Sequence, residues 1–292
     1  MTENYIQFKK QRELGDIITD TFSFLRANYK LLFKLIFKIA GPAFLVLLLA
    51  LTYYSYLSLE TLETSIFDMA ATLDVGTYLI TGAVLLFSML AFSVLLYGTV
   101  LHFISSYIKN NGTVLEDEVK QGVKYDFGNL LGLLVLCGII LFFGLILCVI
   151  PGVYLWVPVS IAPAVMVFGR QSISDAIGEA FKLIKDNWWM TFFTLLVMTI
   201  LVYIVGLIFQ IPLFIYYFIK TFTMAQEGSA ADPSTLFDWV YVVFNVISNL
   251  AQYLLSTIIV VATAFIYYDL NEKKNFTGTY ETISNLGSSE KK

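Results

Sequence analysis

Charged residues are scarce in this sequence: Asp, Glu, Lys and Arg make up 14% of the 292 residues, whereas hydrophobic residues make up 58%. A soluble globular protein has about 25% charged and about 45–50% apolar residues. Charges are absent from long stretches, and a run of roughly 18 or more apolar residues is typical of a membrane span. The composition therefore excludes an ordinary soluble protein and predicts an all-α, polytopic membrane protein.

Histidine and cysteine are also rare, with one histidine and two cysteines in the chain. A single histidine cannot complete a zinc site of the usual kind, so we interpret His102 as a polar packing residue. Cys137 and Cys148 lie on one predicted helix, and their separation at about 1.5 Å per residue is too long for a disulfide. We interpret both as packing residues, and we predict no metal and no cofactor.

Recognised catalytic motifs are missing from the sequence, including the P-loop, G-x-S-x-G and H-E-x-x-H. No charged residue lies at the centre of a predicted span, where it would indicate an ion, proton or substrate route. The densest acidic cluster, Glu116-Asp117-Glu118, is typical of a solvated loop. We therefore expect a protein that is not an enzyme and that does not bind nucleic acid.

The apolar runs predict one membrane domain, 1–292, with six spans at 31–57, 77–108, 129–149, 152–168, 188–219 and 239–268. Spans three and four are separated by Ile150–Gly152, where proline removes a hydrogen-bond donor and glycine permits a turn. Pro158 and Pro163 follow in span four, so we expect its helix to be kinked or broken. We favour two full spans here, and a re-entrant hairpin is the alternative.

The basic residues predict the orientation of the chain. Short loops rich in Lys and Arg stay in the cytoplasm. With both termini inside, only Lys220 of the 18 basic residues falls on the outer side. The predicted outer loops are Glu60–Asp74 and Thr221–Asp238, and the predicted cytoplasmic tail is 269–292.

An internal repeat relates two stretches of the chain. "DIITDTFSFLRANYKLLFK" begins at Asp16, and "DAIGEAFKLIKDNWWMTFF" begins 159 residues later at Asp175. Both have the apolar period of an amphipathic helix, which predicts interfacial helices at 13–28 and 172–186, each followed by a span. The repeat is parallel, and spans three and four are inserted between its copies. Interfacial aromatic and amide anchors are expected at Asn28, Tyr29, Asn187, Trp188 and Trp189.

A polar stripe is the most specific feature within the predicted spans. Five polar residues share one face of span six, namely Asn245, Ser248, Asn249, Gln252 and Ser256. Gln210 of span five is a candidate to join them. Amide side chains in lipid seek partners, so this face is expected to point into the bundle. We interpret the stripe as interhelical hydrogen bonding, and contact with a lipid headgroup or small molecule is the alternative.

Two segments resemble a known family. "VIPGVYLWVPVSIAPAVMVFGRQSISDAIGEAFKLIKDNWWMTFF" and the ending "FIYYDLNEKKN" are similar to the membrane domain attached to some bacterial glycerophosphoryl diester phosphodiesterases, and to related stand-alone bacterial membrane proteins. The resemblance implies a bacterial inner membrane. In those phosphodiesterases a separate soluble domain performs catalysis, and only the 24 residues of 269–292 follow span six here. The resemblance therefore implies no hydrolase residues.

Two functional hypotheses follow from the sequence. The first is a non-enzymatic inner-membrane scaffold or accessory subunit, whose membrane-protein partner is an enzyme, a transporter or protein export and insertion machinery. The alternative is a transporter or lipid-handling protein, favoured by the proline-containing span four and the polar stripe. Contact with the lipid bilayer is common to both, and the sequence does not indicate whether the chain forms a homo-oligomer.

Overall fold

The structure is a computed structural model that describes residues 5–60, 75–226, 238–280 and 283. These residues form helices and no strand, which confirms the all-α class. Eight helices have 12 or more residues. They are α1 (Leu14–Ile39), α2 (Gly41–Glu60), α3 (Val75–Lys109), α4 (Glu116–Leu147), α5 (Val149–Gly169), α6 (Ile173–Ile184), α7 (Trp188–Gln226) and α8 (Trp239–Asn275).

Five of these helices are individually long and apolar enough to cross a membrane, namely α3, α4, α5, α7 and α8. Helices α1 and α2 together form a sixth candidate that is broken between them. These six candidates correspond to the six predicted spans, and the chain is a multi-pass helical membrane protein. The predicted outer loops are largely outside the described residues, as is most of the tail after residue 280.

The first interfacial helix is longer than the sequence analysis predicted. The predicted boundary between helix and span was at 28–31, whereas α1 continues through Asn28 and Tyr29 to Ile39. The break comes at Ala40, immediately before Gly41 and Pro42. Proline lacks the N–H that would continue the ladder and its ring clashes with the carbonyl four residues earlier, so this pair ends α1. Asn28 and Tyr29 do not end it.

The joint between the third and fourth predicted spans also differs from the prediction. It lies at Cys148, whose extended backbone (φ −175°, ψ 155°) separates α4 from α5, rather than at Ile150–Gly152. Pro151 falls in the first turn of α5, where its missing N–H would have no intrahelical partner. Cys148 therefore does not share a helix with Cys137, and both cysteines are free.

Helix α5 is not broken by its internal prolines. It runs without interruption from Val149 to Gly169 past Pro158 and Pro163, so of the two expected outcomes the break is wrong and the kink stays a prediction. Pro158 cannot donate to the carbonyl of Tyr154 four residues earlier. The indole Nε1 of Trp188 donates to this carbonyl at 3.3 Å, so a side chain from α7 supplies a donor that the helix lacks.

The chain forms two compact units. The basic unit comprises 1–40, 93–200 and 257–292, and the apolar unit comprises 41–92 and 201–256. Seventeen of the 18 Lys and Arg residues belong to the basic unit, and Lys220 belongs to the apolar unit. The basic residues of the protein are therefore concentrated in the basic unit.

The N-terminal segment of the basic unit packs on the end of α8. The ring of Phe8 stacks on Phe265 with 4.2 Å between centroids, and Phe24 packs edge-on against Phe8. The buried Arg12 donates its backbone N–H to Oδ1 of Asp269 at 2.6 Å, and its Nε to Asp20 at 2.9 Å. These contacts join residues far apart in sequence into one buried cluster.

The apolar unit has a small aromatic core of its own. Phe44, Phe92 and Tyr253 pack together, with ring centroids 5.0 to 5.8 Å apart. At the start of α8, Oδ1 of Asp238 accepts from the backbone N–H of Tyr241 and Oδ2 pairs with Lys220 at 3.0 Å. An N-terminal carboxylate of this kind caps α8 and satisfies helix N–H groups that have no intrahelical partner.

Candidate functional site

The predicted polar stripe on α8 makes both intrahelical and interhelical contacts within the apolar unit. Nδ2 of Asn249 donates to the backbone and side-chain oxygens of Asn245, both at 2.9 Å. The Asn245 amide in turn lies 3.2 Å from the hydroxyl of Tyr241. Ser248 is the stripe residue that bonds to α7, where its hydroxyl donates to the carbonyl of Phe209 at 2.9 Å.

The remaining stripe residues differ in their surroundings. Oε1 of Gln252 lies so close to α7 that a Cβ added to Gly206 would come within 2.3 Å of it. Ser256 bonds to the carbonyl of Tyr253 within its own helix at 2.6 Å, and Gln210 is half-buried on α7. The contacts of Ser248 and Gln252 with α7 are of the kind expected for interhelical hydrogen bonding, and the role of the stripe stays a prediction.

The predicted anchors of the second copy adopt different roles. The carbonyl of Asn187 accepts from the backbone N–H of Thr191 at 3.0 Å, so Asn187 begins the hydrogen-bond ladder of α7. Trp188 stacks on Tyr154 with ring centroids 5.5 Å apart. Trp189 is 66% exposed, as an anchor in a headgroup layer would be.

The predicted anchors of the first copy lie within α1. Nδ2 of Asn28 donates to the carbonyl of Phe24 at 3.0 Å, and the ring of Tyr29 is exposed beneath the ammonium of Lys30. Because α1 stays helical here, this copy lacks the turn that reorients the chain before Trp188. The assignment of these residues as anchors stays a prediction.

The basic unit contains a polar cavity of about 950 Å³, which was not predicted from the sequence. It lies between the C-terminal part of α3, the N-terminal half of α4 and the turn that joins α5 to α6. The side chains that decide its chemistry are His102, Glu118, Asp126, Arg170 and Gln171.

His102 lies on the wall of this cavity. Its Nε2 is 2.9 Å from Oδ2 of Asp126 on α4. The carboxylate lies away from the N–H direction, so Nε2 is buried without an aligned hydrogen-bond partner. The imidazole ring lies against Gly122, where an added Cβ would be 2.3 Å from Nδ1. The absence of a side chain at Gly122 therefore allows His102 to approach α4.

Glu118 organises the rim of the cavity. Oε2 accepts from the hydroxyl of Ser106 at 2.8 Å and from the amide of Asn110 at 2.9 Å, while Oε1 pairs with Lys109 at 2.6 Å. The acidic cluster that was predicted to be a solvated loop is thus the first turn of α4. Glu116, in the same turn, pairs with Lys34 at 2.6 Å.

Arg170 and Gln171 form the turn that closes the cavity. Arg170 has a left-handed backbone (φ 50°, ψ 46°) at the end of α5, a conformation that costs an ordinary residue about 1–2 kcal/mol. Its guanidinium makes no ion pair or hydrogen bond with any residue in the described ranges. Oε1 of Gln171 is buried and has no protein partner there either.

The formal charges that line the cavity balance, because Lys109 and Arg170 oppose Glu118 and Asp126, but Arg170 is not paired within the described residues. Glu118 is matched by Lys109, and Asp126 lies beside His102, whereas Arg170 has no counterion among the described residues. Within the residues that the structure describes, no group of three or more His, Cys, Asp or Glu residues is placed to hold a metal. The cavity therefore contains one exposed guanidinium, paired with no described carboxylate, that is able to bond to acceptor atoms of a ligand.

The sequence contains only a weak signal for this cavity. His102 was treated as an isolated packing residue, and neither Asp126 nor Arg170 was assigned a site role. His102, Asp126 and Arg170 each lie near the predicted cytoplasmic end of a span. This shared position is the one sequence pattern that links them. Their convergence depends on how α3 and α4 pack, which span prediction does not address.

Comparison of the chain with protein-family models, with curated proteins and with solved structures finds no match. The resemblance of residues 149–193 to the phosphodiesterase membrane domain therefore stays a prediction.

Proposed function

We propose that this multi-pass membrane protein is a non-enzymatic, lipid-handling protein of a bacterial cytoplasmic membrane that binds a phosphate-type anion in its polar cavity. The observation that supports this function best is the guanidinium of Arg170, which lines the cavity without a protein counterion in the described ranges. A guanidinium matches the geometry of phosphate oxygens and can bond to two of them at once.

Other cavity groups fit the same ligand. The serine hydroxyls of Ser105 and Ser174 and the amide of Asn129 line the cavity and are able to donate to phosphate oxygens. The buried Oε1 of Gln171 accepts a hydrogen bond, so a hydroxyl or ammonium group next to the phosphate would satisfy it. A phospholipid headgroup and a free phosphate compound share this chemistry.

Titration of the purified full chain in a neutral detergent tests the proposal. The probes are inorganic phosphate, dihexanoyl phosphatidylglycerol and, as a zwitterionic comparison, dihexanoyl phosphatidylcholine. Binding of phosphatidylglycerol without binding of inorganic phosphate identifies a lipid headgroup as the ligand. Comparable binding of inorganic phosphate identifies a free anion as sufficient.

Arg170→Gln is the decisive variant for this titration. A charge-assisted hydrogen bond contributes about 1.5–3 kcal/mol, so its loss is expected to weaken binding by roughly 10- to 100-fold. Lys182→Gln is the matched control, because Lys182 is an exposed cation of the same unit that does not line this cavity. Binding that is absent from the natural chain, or equally affected by both variants, would refute the proposal.

A second proposal is that the protein is a scaffold or accessory subunit of a membrane complex. It is supported by α6 and the residue that follows it, which expose a mixed set of charges at Asp175, Lys182 and Lys185 that would suit a polar protein surface. Purification in a gentle detergent followed by mass spectrometry tests it. Recovery of a monomer with no stoichiometric protein partner would argue against this role.

A further inference from the structure

We propose that the α4–α5 hairpin does not cross the membrane and that its apolar tip instead inserts into the leaflet at which α7 begins. The interaction surface is the tip around Cys148, and its partner is the acyl-chain layer of that leaflet. The protein then has four spans, formed by α1 with α2, α3, α7 and α8. This number is even, so it leaves both chain termini on one side.

The start of α7 and the end of α8 define one end of the helix pair in the basic unit. Nζ of Lys273 on α8 lies 3.3 Å from Sδ of Met190 on α7, so these two ends are neighbours. Trp188 is the first residue of α7, a helix that is long and apolar enough to span a membrane. Residues in contact with Trp188 therefore lie at the beginning of this candidate span.

Both halves of α5 contact this same end of the pair. Tyr154, near the start of α5, stacks on Trp188, and Phe168, near its end, packs 5.0 Å from the ring of Tyr268 on α8. About 21 Å of helix separates Tyr154 from Phe168, at 1.5 Å rise per residue. Tyr268 lies only five residues before Lys273, or about 8 Å along α8, so α5 is strongly inclined to α7 and α8 and does not extend along them as a full span would.

Helix α6 gives an independent argument against a full crossing. It packs alongside α5, because one small cavity is lined by Pro158 of α5, by Lys182 and Ile184 of α6, and by Lys185 directly after α6. Lys182 is exposed in this position. A crossing α5 would carry these cations into the hydrocarbon layer, at about 2.5–3.5 kcal/mol each on insertion scales.

The tip itself has the surface of a lipid-embedded segment. Leu147 is 79% exposed and Ile150 is 77% exposed, on either side of the joint at Cys148. Phe142, Phe143 and Ile146 are also exposed, and the sequence from Phe127 to Gly169 contains no charged residue. The neighbouring Trp189 is an exposed aromatic residue of the kind found at membrane interfaces, so the tip is continuous with a surface suited to lipid.

Cys148 allows a direct test of this topology. In the Cys137→Ala variant it is the sole cysteine, because the chain has two. A nitroxide spin label is attached to it, and the full chain is reconstituted into sealed vesicles of phosphatidylcholine and phosphatidylglycerol. Relaxation by oxygen, which concentrates in lipid, is compared with relaxation by a nickel chelate added to one side and then to the other.

We expect the label at position 148 to collide with oxygen and to be protected from the nickel chelate on both sides. The exposed comparison sites are Lys182→Cys on α6, just before α7, and Thr223→Cys at the far end of the α7 candidate span, each in the Cys137→Ala/Cys148→Ala chain. Nickel access from the side of position 223 would show that the hairpin crosses. Nickel access from the side of position 182 would place the tip in water, and either result overturns the proposal.

Ile150→Cys in the same cysteine-free chain repeats the measurement two residues away. A label at position 150 is away from the helix joint. Agreement between the two positions would therefore show that the protection reflects the depth of the tip and not a local effect of the label at position 148. The expected result is again protection from nickel on both sides, and a nickel-accessible label here would contradict the inserted tip.

Discussion

Trp188 donates its indole N–H to the main-chain carbonyl of Tyr154, with 3.3 Å between nitrogen and oxygen. This carbonyl is the one that Pro158 leaves without its usual helical donor. The two aromatic rings also stack, with centroids 5.5 Å apart. A proline that weakens α5 is thus compensated by a side chain from another helix, and the start of α7 is fixed to α5 as a result.

Trp188→Phe is expected to lower the stability of the protein by about 0.5–1.5 kcal/mol, because the aromatic ring remains while its hydrogen bond is lost. In a Pro158→Ala chain the alanine N–H supplies the donor, so the same substitution should cost less there. Thermal unfolding in detergent of the four chains in this cycle measures the coupling between the two positions.

Trp189→Phe is the matched control for this cycle. Trp189 is adjacent in sequence but exposed, and its indole donates no hydrogen bond to any residue within 5–60, 75–226, 238–280 or 283. We expect its substitution to have the same small effect with and without Pro158→Ala. An equal effect of Trp188→Phe in both backgrounds would show that the bond to Tyr154 does not compensate for the proline.

The repeat explains why the sequence predicted some helix boundaries well. Helix α1 begins at Leu14 and α6 at Ile173, which is the predicted shift of 159 residues. The N-terminal signal of α6 is local, since the hydroxyl of Ser172 accepts from the N–H of Asp175 three residues later. Apolar periodicity and capping residues act over a few neighbouring positions, so they can be found without knowledge of packing.

The places where the prediction was wrong depend on contacts between distant residues or on competition between two nearby signals. Gly41 and Pro42 end α1. The chain does not turn before Tyr29, although it turns before Trp188, the aligned residue of the second copy. The role of Trp188 depends on Pro158, and that of His102 on the small size of Gly122. Hydropathy also indicates the length of an apolar helix but not its orientation. It therefore could not distinguish a helix that spans the membrane from a hairpin that lies across other helices.

Gly122→Ala is expected to destabilise the protein by about 1–3 kcal/mol, because the new Cβ would be 2.3 Å from Nδ1 of His102. The ring would have to leave α4, which also separates it from Asp126. Gly128→Ala in the same helix is the control, because no atom lies within 4 Å of its added Cβ. That substitution should stabilise the helix by up to about 1 kcal/mol. Thermal unfolding of the two variants in detergent should therefore shift in opposite directions, and a shared direction would contradict the proposed packing.

Asp269→Ala is expected to lower stability by about 3–5 kcal/mol, the usual cost of removing one partner of a buried ion pair. Asp269 is 2% exposed and accepts from the backbone of Arg12 and from Nζ of Lys273. Burial lowers the pKa of the Arg12 guanidinium, and a lost carboxylate nearby would leave this buried charge less well compensated.

Lys10→Ala serves as the comparison for Asp269→Ala. Lys10 also forms an ion pair of the same region, to Asp20 at 3.0 Å, but its side chain is largely exposed to solvent. An exposed pair contributes about 0–1 kcal/mol, so this substitution should change the melting temperature little. Similar losses in the two variants would show that the buried pair has no special role.

Arg170→Gly separates the stability of the cavity turn from its binding function. Glycine adopts the left-handed backbone of this position without the strain of about 1–2 kcal/mol that arginine incurs, at an entropic cost of about 0.5–1 kcal/mol. We therefore expect a melting temperature equal to or slightly above that of the natural chain. Binding of phosphatidylglycerol or inorganic phosphate should fall by roughly 10-fold or more, because the guanidinium is removed.

Arg170→Lys is the comparison that retains a cation and the backbone strain, and it should retain part of the binding without the gain in stability. A glycine variant that melts earlier and still binds as well as the natural chain would contradict both the strain and the proposed role of this cation.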